Sequence, residues 1–562
     1  MSAVWKILLL CSTMVSSAAY AAELPDAGRL LKENTLPTSL IPQQTLPPLQ
    51  IQVPPEKPVR DGSRVNVTGF IFTGNTIFSS SELARMMAGS IGKAMTLTEL
   101  YSAVSAITNK YREKGYFLTS LYFPPQSIKP GMPITLEVIE GILEKIQVKT
   151  IPDKTRIPVS LLESYANHVP AEKPVEEGAL TSMVMRTNEL PNISSRIIME
   201  PGSRPGTTKA TLEVTESKPI SLSLDMDNYG NDATGNNRTG ATMDLYSPLH
   251  LGDQFTLHVL TSTTGDLQNV RTNYTVPVMS YGTKIGVDYN VVKYKLGGSF
   301  KALKADGDAQ NLCLTLTHPL ARQRNLMLNA TLAGEGRLLD DRIENPISRN
   351  KRHTTSWQIG LAGIHTDKIL GGGSTSLSLG FIAGRLGIND SETLTIDQSS
   401  SGLHTNGSYS KGTFSLARTQ TIYQGLSLYA GAYGQLADTN LNSSEQLSLG
   451  GPGAIRACQI GESYADNGVI TTAELRYQFG TIGDLPGRMQ ASAFVDHGYA
   501  VLHTNPLPDS GTNTRDLTGA GIGIKWLDAN NYTLQATCAW KVTGATITGN
   551  NPVIFVQAVK QF

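Results

Sequence analysis

Residues Thr472 to Phe479 read TAELRYQF, and side-chain parity sorts them into two sets. In an extended chain Ala473, Leu475, Tyr477 and Phe479 share one face, while Glu474, Arg476 and Gln478 share the other. A soluble sheet also turns polar residues outward, so one such stretch decides nothing alone. The pattern recurs, however, from Ile220 to the end of the chain. In QFTLHVLT, Phe255, Leu257 and Val259 oppose Thr256 and His258; in KIGVDYNVVKY, Ile285, Val287, Tyr289 and Val291 oppose Lys284, Asp288 and Asn290. In YTLQATCAWKV, Tyr532, Leu534, Cys538 and Trp540 oppose Thr533, Gln535, Thr537 and Lys541. Segments of about ten residues with one apolar and one charged face suit strands that meet lipid outside and a polar lumen inside. A bilayer tolerates no open sheet edge, so the expected fold is mainly β, with residues 218–562 closing into a transmembrane antiparallel β-barrel. A soluble β-sandwich would need another reason for the export signal at the other end of the chain and for the terminal aromatic, Phe562.

That signal is MSAVWKILLLCSTMVSSAAYAAE, with Lys6 ahead of the apolar run Ile7 to Val15 and a small-residue site at Ala19-Tyr20-Ala21. Residues 1–21 are therefore expected to be a signal peptide, cut after Ala21 or Ala22. No later run of about 18 apolar residues offers a membrane helix. The 562 residues ask for more than one unit, and 47 basic against 47 acidic side chains give no surplus for a nucleic-acid partner. Beyond the signal, Cys313, Cys458 and Cys538 stand far apart, without the spacing of a disulfide framework or a metal site.

Between signal and barrel the chain changes character three times. Residues 22–35 hold DAGRLLKEN, a short helix with Asp26 as cap and Leu30 and Leu31 on one side. Residues 36–63 carry prolines at 37, 42, 47, 48, 54, 55 and 58, an extended tether for that helix. Residues 64–140 then read as strand, two helices and two strands: Val65 to Phe72, cap chemistry at Ser79 to Ser81, a helix from Leu97 to Lys114, and strands Phe117 to Phe123 and Ile134 to Ile139. Residues 141–217 repeat the layout, giving two small α+β domains.

Just upstream of the opening stretch lies LGGPGAIRACQIGE, Leu449 to Glu462, with one cation, Arg456, amid glycines. Downstream, the parity of ASAFVDHGYA turns Gln490, Ser492, Phe494 and Asp496 toward the lumen. A loop folded inward at about 449–468 could bring the Arg456 guanidinium onto Asp496 through two parallel hydrogen bonds, with glycines letting the backbone bend. An ordinary solvent loop is the alternative. Alternate glycines at 519, 521 and 523 fit a lumen-facing strand thinned to admit bulk from a neighbour.

This order of parts resembles the two-partner (type Vb) secretion transporters, the haemolysin secretion and activation family within the outer-membrane assembly superfamily. GFIFTGNTIFSSSEL resembles the opening of that family's first POTRA domain. SEQLSLGGPGAIRACQIGESYADNG resembles its inward loop, here marked by Gly450, Gly451, Pro452, Ile455, Arg456, Gly461 and Glu462. FVDHG resembles its Phe-x-Asp-x-Gly strand motif, at Phe494, Asp496 and Gly498. The loop departs from the family at Cys458, where an aromatic is usual. The resemblance implies two POTRA domains, a sixteen-stranded barrel, a plug helix around Leu30 and Leu31, a gate contact between Arg456 and Asp496, and a C-terminal assembly signal at Phe562. It implies a monomer in the outer membrane, with POTRA domains in the periplasm that bind an unfolded exoprotein and pass it through the barrel. Other partners would be the barrel-assembly machinery, periplasmic chaperones and outer-membrane lipid.

Neither a cofactor nor a metal is called for, and no HExxH, GxSxG or P-loop pattern supports an enzyme. A barrel-assembly insertase shares the parts and is the rival reading; a passive porin would not need POTRA units.

Overall fold

Sixteen antiparallel strands between Ile220 and Gln561 close into one barrel, each paired with its neighbours in sequence. The computed structural model describes residues 24–34, 50–51, 64–127, 129, 131–151, 155–480, 486–507, 511–528, 531–544 and 550–562. The expected signal peptide lies outside these residues, as does the expected linker apart from Gln50–Ile51. The ring closes where Ile220–Asp227 meets Val553–Gln561, with partners running from Ser223 beside Gln561 to Asp227 beside Gln557. Phe562 donates its backbone N–H to the Leu222 carbonyl at that seam, 2.9 Å away, and its ring stays exposed.

Parity governs which side chains see lipid. Leu314, Ile359, Val495, Ile522 and Leu534 are exposed on the outer wall, while Arg238, Asp288, Arg352, Glu474 and Asp496 are buried on the inner one. Amphipathic aromatics favour the two membrane edges. Tyr477 with Phe479 and Trp526 with Tyr532 form edge-to-face pairs at one rim. Trp357, Tyr499 and Trp540 are exposed nearer the other. No helix among the described residues is long and apolar enough to cross a membrane; the crossing is by strands.

Ahead of the barrel stand two α+β units. In the first, Ser79 with Glu82 and Thr96 with Glu99 form capping boxes that start helices Ser80–Met86 and Leu97–Glu113. The longer helix buries Leu100, Val104, Ile107 and Tyr111, facing a sheet ordered Phe70–Thr73, Ile134–Ile139, Ser120–Tyr122. The strand expected from Phe117 to Phe123 is shorter than its sequence suggests, covering Ser120–Tyr122. Phe117 and Leu118 instead pack against the core of the second unit, which joins the two units through apolar contact.

The second unit pairs helices Val159–Ala166 and Glu177–Asn188 with strands Ile142–Thr150, Ile193–Pro201 and Thr207–Glu216. Its sheet gains a fourth, parallel strand from far upstream: Gln50–Ile51 lies along Ile198–Met199. This unit is fastened to the near rim of the barrel. The buried carboxylate of Glu189 pairs with Arg322, the Glu189 carbonyl accepts from Lys284 Nζ at 2.8 Å, and Glu177 takes Arg324 at 2.8 Å. Since this unit leads directly into Ile220, the rim it touches is the one at which the first barrel strand begins.

Candidate functional site: the filled lumen

Between Leu426–Ala437 and Asn467–Gln478 the connecting segment 438–466 turns into the barrel. Its stem is a short ladder, Leu447–Ser448 with Tyr464–Ala465. Below the stem the two legs press together so closely that a Cβ on Gly450 would lie 2.1 Å from the Gln459 carbonyl oxygen. Gly451 (φ +116°) and Gly461 (φ +83°) hold backbone conformations that other L-residues rarely adopt. Glu462 accepts from the Gln459 N–H at 2.8 Å and lies 3.4 Å from Lys541 Nζ, bracing the returning leg. Pro452 sits at the tip and leads into Ile455, which is fully buried.

The wall is thinned beneath this loop. A Cβ on Gly498 would approach Ile455 Cδ1 to 2.6 Å, one on Gly519 would reach Ala457 Cβ at 2.4 Å, and one on Gly521 would meet the Phe494 ring at 2.5 Å. Glycine is thus required where the loop seats, and side chains larger than hydrogen would lift it.

At the tip, Arg456 donates from Nε to Asp496 Oδ2 and from Nη2 to Asp496 Oδ1, both at 2.8 Å, and its backbone N–H adds a third bond at 3.1 Å. Nη1 donates to Glu474 Oε2 at 3.0 Å. The guanidinium carbon stands 3.2 Å from the centre of the Phe494 ring, a cation–π contact. Asp496 is 0% exposed and also accepts from Thr472 Oγ1 at 2.9 Å. One cation therefore neutralises two carboxylates, helped by Arg476, whose Nε is 3.3 Å from Glu474. Removing the cation would leave Asp496 uncompensated inside the wall and Glu474 with Arg476 alone, which is costly in a low-dielectric setting.

Parity had already put Glu474 on the lumen face, and strand register, which parity does not give, is what sets it beside Phe494 and Thr472 beside Asp496. The inward segment also begins earlier than the expected 449–468, at Asp438, and Asn467 and Gly468 belong to the next strand. Residues 440–446 look like a solvent loop because they are polar. They are buried because the lumen is polar too: Glu445 pairs with Arg337 and, at 2.7 Å, with Lys411. Cys458, where the family usually has an aromatic, is buried within the loop and its thiol is pushed up to about 12 by that burial. Phe494 on the wall, rather than a loop aromatic, stacks on the arginine.

The second filler is the helix Ala27–Glu33, capped by Asp26, whose side chain accepts from the Arg29 N–H. Seven residues make about two turns, too few to be stable without packing. Leu30 and Leu31 are buried beside Leu260, Val292, Tyr294 and Leu339 of the wall. Asp26 meets Arg352 at 3.0 Å and Ser443 Oγ at 2.6 Å, and the Ala27 N–H reaches Asp341 at 2.7 Å. Asn34 accepts from Arg238 at 2.8 Å. Another face of the helix touches the loop: a Cβ on Gly28 would collide with Ser443 and Ser444, and Arg29 lies 4.5 Å from the centre of the Tyr464 ring. Lys32 donates to the Gln446 carbonyl and Tyr464 to Glu33. The two fillers thus touch each other as well as the wall.

Comparison with known proteins places this arrangement. The family model of the haemolysin secretion/activation protein ShlB/FhaC/HecB matches residues 206–526, and the ShlB-type POTRA domain matches residues 65–141. The chain belongs to this family. It is similar to the heme/hemopexin transporter protein HuxB of Haemophilus influenzae, 24% identical over 86% of this chain and 84% of that one. It is equally similar to the outer membrane transporter CdiB of Escherichia coli, 24% identical over 92% of this chain and 87% of the relative. The solved structure of Escherichia coli CdiB superposes with a TM-score of 0.70, covering 95% of each chain at 20% identity. As a member of this family the chain is an outer-membrane translocator for an exoprotein, with its POTRA end in the periplasm.

Proposed function

We propose that both α+β units act as POTRA domains that take an unfolded exoprotein by strand addition and hand it to a barrel held shut by two removable fillers. What carries this reading is the lumen itself, where the helix Ala27–Glu33 and the segment 438–466 are held to the wall by charges and glycine seats. Strand addition needs open sheet edges, which bond any extended backbone with little demand on its side chains. Ser120–Tyr122 lies at one edge of the first unit's sheet. In the second unit, the flank of Ile193–Pro201 accepts an added strand, since Gln50–Ile51 already lies there. A passenger joining that flank competes with this segment, which is connected to the plug helix. Transport then requires the helix to leave and Arg456 to let go of Asp496 and Glu474.

The chain works as a monomer without catalysis or cofactor, and folding of the passenger outside gives direction. The passenger is of the adhesin, haemolysin or haem-scavenging kind. Periplasmic chaperones and the barrel-assembly machinery bring the translocator itself into the outer membrane, with Phe562 as its assembly signal. Deleting the gene tests the reading: loss of one large exported protein, with other surface proteins unchanged, is the expected result. A general loss of outer-membrane barrels would instead make the chain an insertase.

A further inference from the structure

One part of the outer wall departs from the uniform apolar band. On strand Leu326–Glu344 two consecutive outward positions are glycines, Gly334 and Gly336. Leu312 and Leu314 flank them on one side and Trp357 on the other, around a groove of about 600 Å³. A Cβ on Gly334 would touch the indole of Trp357 at 3.0 Å, whereas one on Gly336 would meet nothing within 4 Å. The indole leans over the first glycine and leaves the slot at the second open.

Register connects this slot to charge. Leu312, Gly336, Thr355 and Arg385 are successive partners across four strands. Arg385 therefore projects outward in the same row as the slot. His353 and Lys351 follow along Ile347–Asp367, also outward and exposed. Among the described residues, no carboxylate pairs with Arg385, and Lys351 makes no ion pair within 4 Å, although its charge is felt by Asp340. Asp340, the register partner of Lys351, is held by Arg349 at 2.9 and 2.6 Å. His353 bonds Asn389 through Nδ1 at 2.9 Å and lies over Gly387.

The height of this row matters. His365 pairs with Leu326, the first residue after the turn at the rim that also carries Arg322 and Arg324. A tilted strand climbs about 2.5 Å per residue along the membrane normal, so the step from His365 up to Thr355 is about 25 Å, the thickness of the apolar band. The slot and Arg385 then lie where the outer leaflet's chains meet its headgroups, one step beyond the girdle aromatic Trp357.

We propose that this groove and its cations bind one phosphorylated lipid of the outer leaflet. An acyl chain lies in the slot at Gly336, and the phosphate is held by Arg385 and Lys351 beside His353. A guanidinium donates to two phosphate oxygens at once, and an ammonium adds a point charge. Apolar slot and cations adjoin, which fits an amphipathic anion; a neutral lipid would leave the cations unmatched.

The test uses purified full-length protein in detergent, incubated with mixed micelles of a diphosphorylated lipid A and read by native mass spectrometry. One retained lipid per chain is expected. Arg385→Ala is expected to lower retention about tenfold, as the loss of one charge-assisted contact would, and Arg385→Glu with Lys351→Glu to lower it further. Gly336→Leu fills the slot without changing charge and is expected to lower retention similarly; heat-modifiability on gels confirms that each barrel is folded. The proposal is overturned if the same lipid stripped of phosphates is retained equally, if inorganic phosphate alone displaces it, or if Gly336→Leu holds it as well as the parent.

Discussion

Two pieces of chain fill the same lumen, and they are held in different ways. The segment 438–466 is tied to the wall at both ends, seated on Gly498 and Gly519, and pinned by Arg456, which bonds two carboxylates. The helix Ala27–Glu33 lies far upstream of the barrel strands, and its contacts are a patch of leucines and separate polar bonds from Asp26 to Asn34. On the function proposed above, the difference makes one a hinged lock and the other a stopper. A lock has to survive many openings and return to its seat; a stopper has to come out whole.

If that distinction holds, removing the pin should cost most. Arg456→Ala leaves Asp496 and Glu474 without their shared cation, a loss of about 3–5 kcal/mol in loop seating by analogy with broken buried pairs. Secretion of the passenger is expected to be abolished or strongly reduced, while membrane insertion, followed by heat-modifiability and fractionation, is intact. Arg456→Lys keeps charge but loses the two-pronged grip and should recover little. Normal export by Arg456→Ala would remove the lock from the account. Next in size is removal of the stopper: deleting residues 22–35 should raise conductance several-fold in planar bilayers, because no other helix occupies that part of the lumen among the described residues. Unchanged conductance would mean that the loop alone seals the pore.

How much of this could be read from residue order depends on the length scale of each interaction. Side-chain parity has a period of two, so it placed Asp496, Phe494 and Glu474 on one inner face without knowing the neighbouring strand. The glycines of GAGIGIK pointed to a thinned wall for the same reason. The contact of Arg456 with Glu474 needed the register between two strands, which parity does not supply. The cluster of Glu445, Arg337 and Lys411 unites residues 34 to 108 positions apart, and its polarity reads as exposure. The short strand Ser120–Tyr122 was overestimated because Phe117 and Leu118 are apolar for the sake of a different domain.

A smaller effect separates anchoring from blocking. Arg352 bonds both Asp26 and Asp341, so Arg352→Ala loosens the helix cap without removing the helix. Brief openings, in place of a lasting increase, are expected in single-channel records, with mean conductance well below that of the 22–35 deletion. An increase equal to the deletion would make this one arginine the whole anchor, and the leucine patch would count for little.

The least of the expected effects is set by protons, and it distinguishes the stopper from the lock most finely. Burial in the docked helix raises Glu33 to about 7, against hydrogen bonds from Tyr464 and the charge of Arg29. Burial lowers Lys32 to about 7, assisted by the nearby Lys411 and opposed by Glu445. Between the ordinary carboxylate range and pH 7, the docked helix holds a proton on Glu33 that the free helix lacks. Docking is then complete in acid and weakens as pH rises through that window. Between pH 7 and the ordinary ammonium range, the free helix holds a proton on Lys32 that the docked helix lacks, so docking strengthens as pH rises. The two slopes meet near neutrality, where the stopper is held most weakly. Open probability in planar bilayers should therefore peak near pH 7 and fall toward both about pH 5 and about pH 9. Glu33→Gln should flatten the acid limb alone and Lys32→Met the alkaline limb alone. A single slope across the whole range, or a peak that survives both substitutions, would assign the titration to the wall or the loop and leave the helix a passive weight.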